Sequence, residues 1–220
     1  MKIAIIAATG GIGQQALRQA AADHDVTAIV RDPSRLAVPV PAVTVDLAAA
    51  DPSALAGALH GADAVLSCLG RRSRTDAGVT WHGTEAIVEA MRAAGVRRIV
   101  AISAGPIGTV PSPQRPRPPR HDPGDGLIVR SILSPLVKAA LRRPYADLAR
   151  MEDVLRGSEL DWTVLRPPRL TNGPLTGKYR TAYGRNVRHG VRISRADVAG
   201  FMLQALDEPD TIGQIVAVAY

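Results

Sequence analysis

The chain has 220 residues, of which 46% are hydrophobic and 21% charged, as expected for one globular α/β domain with a large core. A single cysteine excludes an intramolecular disulfide, and no cysteine–histidine cluster has zinc spacing, so we expect no metal site. The apolar start at residues 3–8 is too short for a signal peptide, and no apolar run reaches about 18 residues. We therefore expect a cytoplasmic protein that does not span a membrane.

The net charge of +7 is unevenly distributed along the chain. Residues 1–109 contain 10 basic and 9 acidic side chains, whereas residues 162–196 contain 8 basic and none acidic. Only 3% of the residues are aromatic, which argues against base stacking on single-stranded nucleic acid. We expect an anionic small molecule as the partner and no nucleic acid or membrane, although a solvated basic surface would have the same composition.

The first predicted elements are a strand at residues 2–8 and a helix at about residues 12–22, joined by a glycine cluster. This order is typical of a dinucleotide site, because glycines let a pyrophosphate approach the backbone and the helix N-terminus supplies amide donors. Ala7 stands where the pattern has its first glycine, which is compatible with the motif if the turn needs no positive φ. The predicted cofactor contacts here are Thr9, Gly10, Gly11, Ile12 and Gly13.

The next apolar run, residues 25–30, predicts a buried parallel strand that ends at Arg31. In a dinucleotide-binding fold, an acidic residue after this strand accepts a hydrogen bond from the ribose 2′-OH of NAD, whereas an arginine there pairs with the 2′-phosphate of NADP. Arg31 occupies that position and Arg35 follows one helical turn later, so we expect NADP(H) as the cofactor. The alternative is that both arginines belong to a solvated loop.

Strands and helices continue to alternate up to residue 103, which predicts a parallel sheet with helices on both faces. Residues 105–126 contain seven prolines and predict a loop or lid. The remaining predicted strands are 41–45, 63–69, 97–103, 162–165 and 214–219, and the remaining helices are 52–59, 80–94, part of 127–142 around Pro135, 145–157 and 195–207 after an N-cap at Ser194. We predict a single Rossmann-type, doubly wound domain over residues 1–220, with residues 162–196 as a small substrate-side elaboration.

Several stretches share the sequence pattern of one known group of proteins. They are Ala-Thr-Gly-Gly-Ile-Gly at 8–13, Val-Arg-Asp-Pro-Ser-Arg-Leu at 30–36, Val-Asp-Leu at 45–47, the strand at 63–70, Ile-Ser-Ala at 102–104, residues 151–175 with Asp-Trp-Thr-Val-Leu-Arg-Pro-Pro, and Ile-Ser-Arg-Ala-Asp-Val-Ala at 193–199. Together they resemble an atypical short-chain dehydrogenase/reductase, in the NAD(P)H-binding group that includes biliverdin reductase B (flavin reductase) and the NmrA-like proteins. The resemblance is weakest between residues 105 and 144.

The resemblance implies roles for residues on the adenosine side of the cofactor. Asp46 would contact the adenine amine, and Leu47 would cover the ring. Leu69 and Gly70 would pass beneath the adenosine ribose. Asp46 could instead be a turn acid, but its place at the carboxyl end of a strand favours ligand binding.

The resemblance also implies roles on the nicotinamide side. Ser103 would lie beside the nicotinamide and the substrate, and Pro168, Arg169 and Leu170 would flank the nicotinamide face. The alternative for Ser103 is a polar group that only ends its strand. We predict Ser103 both as a cofactor contact and as a catalytic residue.

Catalysis is where the chain departs from this group. Most short-chain reductases use a Tyr-x-x-x-Lys pair, but Tyr145 is followed at that spacing by Ala149, and the nearest lysine is Lys138. An unassisted phenol titrates near about 10, which suits proton transfer poorly at neutral pH. Tyr145 is our candidate proton donor, with a packing or lid tyrosine as the alternative, and His121 in the proline-rich loop is a weaker candidate.

The residues and the resemblance together predict an NADPH-dependent reductase of a small conjugated or carbonyl acceptor, such as a flavin, tetrapyrrole, quinone or ketone. Such acceptors take a hydride from the cofactor, and the proton can come from water. One alternative is a non-enzymatic NADP-binding redox sensor of the NmrA type. Another is an enzyme of specialised metabolism on the same fold. We expect a monomer or a small homo-oligomer.

Overall fold

The fold is a largely parallel sheet covered by helices on both faces. The computed structural model describes residues 1–49, 51–70, 78–126 and 141–220. The strands are β1 (Lys2–Ile6), β2 (Asp25–Val30), β3 (Ala42–Thr44), β4 (Ala64–Ser67), β5 (Arg98–Ile102), β6 (Asp161–Arg166), β7 (Arg169–Thr171), β8 (Arg180–Tyr183), β9 (Arg192–Ser194) and β10 (Gln214–Ala219). The helices are α1 (Gly11–Ala20), α2 (Pro52–Leu59), α3 (Val79–Ala94), α4 (Arg142–Arg156) and α5 (Arg195–Gln204).

The strand order creates a crevice at one edge of the sheet. Within the described residues, eight strands are ordered β3–β2–β1–β4–β5–β6–β10–β8, and β7 pairs with β9 separately. Neighbours in the large sheet are parallel except for β8, which runs antiparallel to β10. The chain moves outward from β1 to β3 and then crosses to β4 on the other side of β1. Ligands of such folds bind at this switch point, beyond the carboxyl ends of the strands.

The central strands are apolar on both sides because helices cover both faces. Ile3 and Ile5 pack with α1 and α5 on one face, whereas Ala4 and Ile6 pack with α2, α3 and α4 on the other. This explains why the strands are continuous apolar runs without alternation. Among the described helices, none combines the length and the apolarity needed to cross a lipid bilayer.

The predicted elements up to residue 103 are confirmed in type and order. Helix α4 begins three residues before the predicted 145, and the predicted helix around Pro135 lies outside the described residues apart from its last two positions. The proline-rich segment 105–126 contains a 3₁₀ turn at Gly105–Thr109 and is otherwise irregular apart from one bridge between Ser112 and Arg115. Strands β7, β8 and β9 were not predicted, because three or four residues are too few to show a periodic pattern.

Side chains cap three of the described helix starts, and at α2 the Asp51 carboxylate accepts from the Ser53 amide at 2.8 Å. Ser194 accepts a hydrogen bond from the Asp197 amide at 2.9 Å, which confirms the predicted N-cap. Helix α3 begins after Gly78, which has no side chain to serve as a cap, and the buried Asp147 of α4 takes that role. Its carboxylate accepts from the amides of Thr80 at 3.3 Å and Trp81 at 3.0 Å, so it joins α4 to α3.

The Asp197 carboxylate ties the segment before β8 to α5. It accepts hydrogen bonds from the Thr176 amide at 2.7 Å, the Gly177 amide at 2.8 Å and the hydroxyls of Thr176, Ser194 and Tyr220. Burial acts to raise the pKa of Asp197, but the hydrogen bonds from Tyr220, Thr176 and Gly177 outweigh it and lower the pKa.

We expect Asp197→Asn to lower the free energy of unfolding by about 1.5–3 kcal/mol near neutral pH, since the hydrogen bonds lose their charged acceptor. Because the folded pKa lies below the unfolded one, this stability is present above the unfolded pKa and is lost as the pH falls through the folded value. The difference between the wild type and the variant should therefore shrink in acid, which urea unfolding at several pH values measures.

The matched control for this substitution is Asp23→Asn, which makes the same chemical change at an exposed turn position. It should alter stability by less than about 0.5 kcal/mol at every pH. A constant difference between wild type and Asp197→Asn down to strongly acidic pH would contradict the assignment of the stability to the ionised carboxylate.

Candidate functional site

The turn after β1 requires a left-handed residue, and Ala7 supplies it. Ala7 has φ 57°, and its carbonyl accepts a hydrogen bond from the Gly10 amide at 2.9 Å. Ala7 was expected to be compatible with the glycine motif only if the turn needed no positive φ. The turn does need a positive φ, so that expectation is wrong. The conformation costs a residue with a Cβ about 1–2 kcal/mol, which the packing of β1 and α1 offsets.

Two glycines after this turn make close approaches: Gly13 to the backbone, where a Cβ has no room, and Gly11 to the flexible Arg195 side chain. A Cβ on Gly13 would lie 2.4 Å from the Ala7 carbonyl oxygen and 2.8 Å from the Ala8 Cα. A Cβ on Gly11 would lie 2.7 Å from the Arg195 Nε. Helix α1 has neither a side-chain cap at Gly10 nor an acid in its first turn, so its N-terminal amides suit an anionic ligand.

Arg195 lies beside this loop and was not among the predicted site residues. It is the first residue of α5, its side chain lies against Gly11, and its Nη1 donates to the Asn172 side-chain oxygen at 2.7 Å. A guanidinium is thereby held beside the N-terminus of α1, where a diphosphate would need positive charge. Arg195 belongs to the 193–199 stretch that carries the family resemblance, but its place beside Gly11 was not predicted because the contact depends on α5 packing against α1.

A shallow cleft of about 50 Å³ continues from the glycine loop across the ends of β1 to β4. The structure brings together in its lining six of the residues predicted to contact the cofactor: Thr9, Arg31, Asp46, Leu47, Leu69 and Gly70. The Asp46 carboxylate also accepts from the Ala48 amide at 3.1 Å, so this residue both stabilises a turn and lines the cleft.

Of the two arginines predicted to bind a 2′-phosphate, the structure places one in the lining of this cleft. Arg31 lines it, whereas Arg35 ends an exposed 3₁₀ turn, Pro33–Arg35, just beyond β2. Asp32 begins that turn and accepts from the Ser34 hydroxyl at 2.6 Å and from its amide at 3.1 Å. The hydroxyl hydrogen bond is the main cause of the lowered pKa of Asp32, so this acid is committed to the turn.

A larger cavity of about 940 Å³ opens at the same sheet edge, beyond the ends of β5, β6 and β10. Pro168 and Arg169 line it, as does Tyr145 from α4. Leu170 is turned away from it and packs against the apolar core beneath. The cavity therefore contains two of the three residues predicted to flank the nicotinamide, and the cofactor roles of all three stay predictions.

Tyr145 is the predicted proton donor, and its side chain is only 8% exposed. Burial raises the pKa of Tyr145 above its ordinary value, so the hydroxyl stays protonated at neutral pH but is a weak acid. Lys138, the nearest lysine in sequence, lies outside the described residues. His121 is exposed in the proline-rich segment. A catalytic role for Tyr145 stays a prediction.

Ser103 belongs to a buried charge cluster below the cavity. Its hydroxyl donates at 2.7 Å to the Glu152 carboxylate, which is 0% exposed. Arg166 Nε donates to the same carboxylate oxygen at 2.8 Å, and Arg156 donates to the second oxygen at 2.7 Å. Burial acts to raise the pKa of Glu152, but Arg166, Ser103 and Arg156 lower it, so it stays ionised.

The cluster connects the end of β5 with the cavity wall, because Arg166 also lines the cavity. Ser103 was predicted at the cofactor site, whereas Glu152 was not predicted, because it lies 49 residues away in the chain. Whether Ser103 also contacts the nicotinamide stays a prediction. Its neighbours Ala104 and Gly105 do line the cavity.

The glycine loop, the cleft over β1 to β4 and the cavity at one sheet edge define a Rossmann-type nucleotide-binding protein. A sequence profile of the NAD(P)H-binding family matches residues 7–209, and the chain belongs to that family. This confirms the predicted resemblance to atypical short-chain dehydrogenase/reductases.

One relative supports the same assignment, and two solved structures share the fold. The uncharacterized sugar epimerase YhfK of Bacillus subtilis is 30% identical over 221 residues, covering 96% of this chain and 90% of that protein. The oxidoreductase ylbE of Lactococcus lactis superposes with a TM-score of 0.79 at 22% identity, covering 100% of this chain and 90% of that one. A wide-type short-chain dehydrogenase/reductase of Veillonella parvula in complex with NADP gives 0.75 at 20% identity, with 100% and 94% coverage.

Proposed function

We propose that the protein is an NADPH-dependent reductase that transfers a hydride to a small conjugated or carbonyl acceptor. The observation that carries the proposal is that the nucleotide-binding cleft and a second cavity lie side by side at the same edge of the sheet. A nucleotide-binding loop and cleft lie over β1 to β4, and a mostly apolar cavity of about 940 Å³ lies beside them over β5, β6 and β10. That volume suits a drug-sized organic molecule.

The residues present fit a dinucleotide. Gly13 lets α1 begin close against the Ala7–Ala8 backbone, and the α1 N-terminus with Arg195 supplies positive charge for a diphosphate. The adenosine half would lie in the cleft between Leu47, Leu69 and Arg31. When bound, the nicotinamide supplies the hydride, and the protein supplies binding, orientation and exclusion of water.

The cavity wall suits a flat, largely apolar acceptor. Pro167, Pro168, Val187 and Val218 contribute apolar surface, which would exclude water from the reacting atoms. The Tyr145 hydroxyl at this wall is neutral at physiological pH and could donate a proton to a carbonyl oxygen. A flavin or a quinone could instead take its proton from water. A candidate NADH-flavin reductase of Streptococcus pneumoniae has the same fold, with a TM-score of 0.75.

The 2′-phosphate contact predicts a selective effect on cofactor affinity. We expect the double variant Arg31→Ala/Arg35→Ala to weaken NADPH binding by about 1–3 kcal/mol, the worth of a lost charged hydrogen bond, and NADH binding far less. Titration of both cofactors by calorimetry measures this. Arg18→Ala, an exposed substitution near the end of α1, is the control and should change neither affinity. Equal losses for the two cofactors would refute the 2′-phosphate role.

One observation favours a second function, an NADP-binding redox sensor. Ala149 stands where most short-chain reductases have the lysine that assists the catalytic tyrosine, and it is buried in α4. A sensor needs tight cofactor binding and a partner but no proton donor. It would use the same loop and cleft without turnover.

Oxidation of NADPH, followed by its absorbance, tests the proposal against this alternative. FMN, biliverdin, quinones and a panel of carbonyl compounds serve as acceptors. Turnover with one chemical class supports the reductase and identifies its acceptor. Tight NADPH binding without net oxidation by any of them would reject the proposal in favour of a sensor, or of an enzyme that regenerates its cofactor in each cycle.

A further inference from the structure

Two arginines lie directly opposite each other on the small β7–β9 sheet. The register of this parallel pair aligns Arg169 with Arg192 and Leu170 with Ile193. Ile193 is buried and Leu170 packs against the same core cluster, so these two side chains occupy one face of the pair. Side chains alternate along a strand, and Arg169 and Arg192 therefore share the other face. Both line the large cavity.

Both side chains are exposed, so solvent screens part of their mutual repulsion, and an oxyanion between them would remove the rest. Like charges directly opposite each other on neighbouring strands destabilise the pair. Among the described residues, neither guanidinium has a hydrogen-bond or ion-pair partner. Arg180 shows the contrast, because its guanidinium donates to the carbonyl oxygens of Arg188 at 2.8 Å and Tyr220 at 2.6 Å.

The nearby acid in the cavity wall is already engaged. The Asp125 carboxylate accepts from the Asn186 side-chain amide at 2.9 Å. Most of the remaining described lining is apolar, including Val187, Val191 and Val218. The cavity lining is therefore mostly apolar, with two arginines in one wall.

We propose that Arg169 and Arg192 form an anion-binding subsite that takes the carboxylate or phosphate group of the ligand whose apolar body fills the cavity. Planar guanidinium groups match the geometry of both oxyanions and can bind each in a bidentate manner. The inference rests on the proposed function only in identifying that ligand as the hydride acceptor. It narrows the acceptor class to conjugated or carbonyl compounds that carry an acidic group.

A pair of fluorescent probes with the same apolar body tests the subsite. 8-Anilinonaphthalene-1-sulfonate carries an anionic group, and N-phenyl-1-naphthylamine is its neutral counterpart. We expect the double variant Arg169→Gln/Arg192→Gln to raise the Kd of the anionic probe by about 10- to 100-fold, as for loss of hydrogen bonds to a charged group. The Kd of the neutral probe should change less than about twofold, because the apolar lining is unaltered.

The matched control is Arg18→Gln/Arg185→Gln, which removes the same charge from two exposed positions that do not line the cavity. It should leave both Kd values near those of the wild type. An equal change for the two probes in the first variant, or an equal loss of the anionic probe in the control, would overturn the proposal. Thermal unfolding of each variant confirms that it is folded.

This experiment reads binding and not turnover, so its outcome is separate from that of the proposed function. Loss of anionic-probe selectivity in the Arg169/Arg192 variant supports the subsite even if NADPH oxidation is never observed. Conversely, a working reductase whose cavity binds both probes equally in wild type and variant keeps the proposed function and loses the subsite.

Discussion

Glu152→Gln is expected to lower the free energy of unfolding by about 3–5 kcal/mol, because it leaves the buried Arg166 guanidinium without its counter-charge. Glu152 is fully buried and accepts from Ser103, Arg156 and Arg166, and Arg166 is itself only 4% exposed. Glutamine keeps the shape of the side chain but not the charge. Chemical denaturation with guanidinium chloride measures the change.

Two further variants separate charge pairing from other causes. Glu89→Gln makes the same change at an exposed position of α3 and should cost less than about 0.5 kcal/mol. The double variant Glu152→Leu/Arg166→Met removes both charges and should recover most of the stability, since apolar pairs often replace buried ion pairs without loss. A cost below about 1 kcal/mol for Glu152→Gln would show that water or a neighbouring group already compensates Arg166.

Gly13→Ala is expected to abolish measurable NADPH binding and to cost about 3 kcal/mol or more of stability. The new Cβ would lie 2.4 Å from the Ala7 carbonyl oxygen and 2.8 Å from the Ala8 Cα, and neither backbone atom can turn aside as a flexible side chain could. Helix α1 would have to move away from β1, which carries its N-terminus away from the diphosphate. Calorimetric titration with NADPH and chemical denaturation measure the two effects.

Gly57→Ala is the matched control for this substitution. Gly57 lies within α2, and a Cβ there would have no neighbour within 4 Å. The variant should gain about 0.5–1 kcal/mol through helix propensity and bind NADPH like the wild type. NADPH affinity within about twofold of wild type in Gly13→Ala would contradict the role assigned to this glycine.

Much of the fold was predictable because its signals are local. Strands β1, β2, β4 and β5 are largely apolar runs, and the helices α1 and α3 come next in the chain after β1 and β4. Gly95, at φ 73°, ends α3 where the sequence predicted a stop. Ser194 begins α5 in the same way. Strands β7 and β9 gave no such signal, since three residues that are partly exposed have no readable period.

The candidate site was predictable wherever it follows from position on a strand. Asp46, Gly70 and Arg31 lie in one cleft because parallel strands bring their carboxyl ends to the same edge. Glu152 and Arg195 were missed because each acts through a contact between distant segments. Ala7 shows a third case: its residue type argued against a left-handed turn, and the packing of β1 against α1 imposes one.

The sequence by itself determined the order of the strand and helix units and the sheet edge at which the predicted cofactor contacts gather. Apolar runs and glycine spacing encode both, and these depend only on neighbours along the chain. The tertiary structure alone decided which charges are neutralised. Glu152 meets Arg166 and Ser103 inside the protein, whereas Arg169 and Arg192 lie side by side on β7 and β9 in one wall of the cavity. An arginine gains a counter-charge only if the fold places an acidic residue from a distant segment beside it. The order of the strands in the folded sheet decides which segments are adjacent.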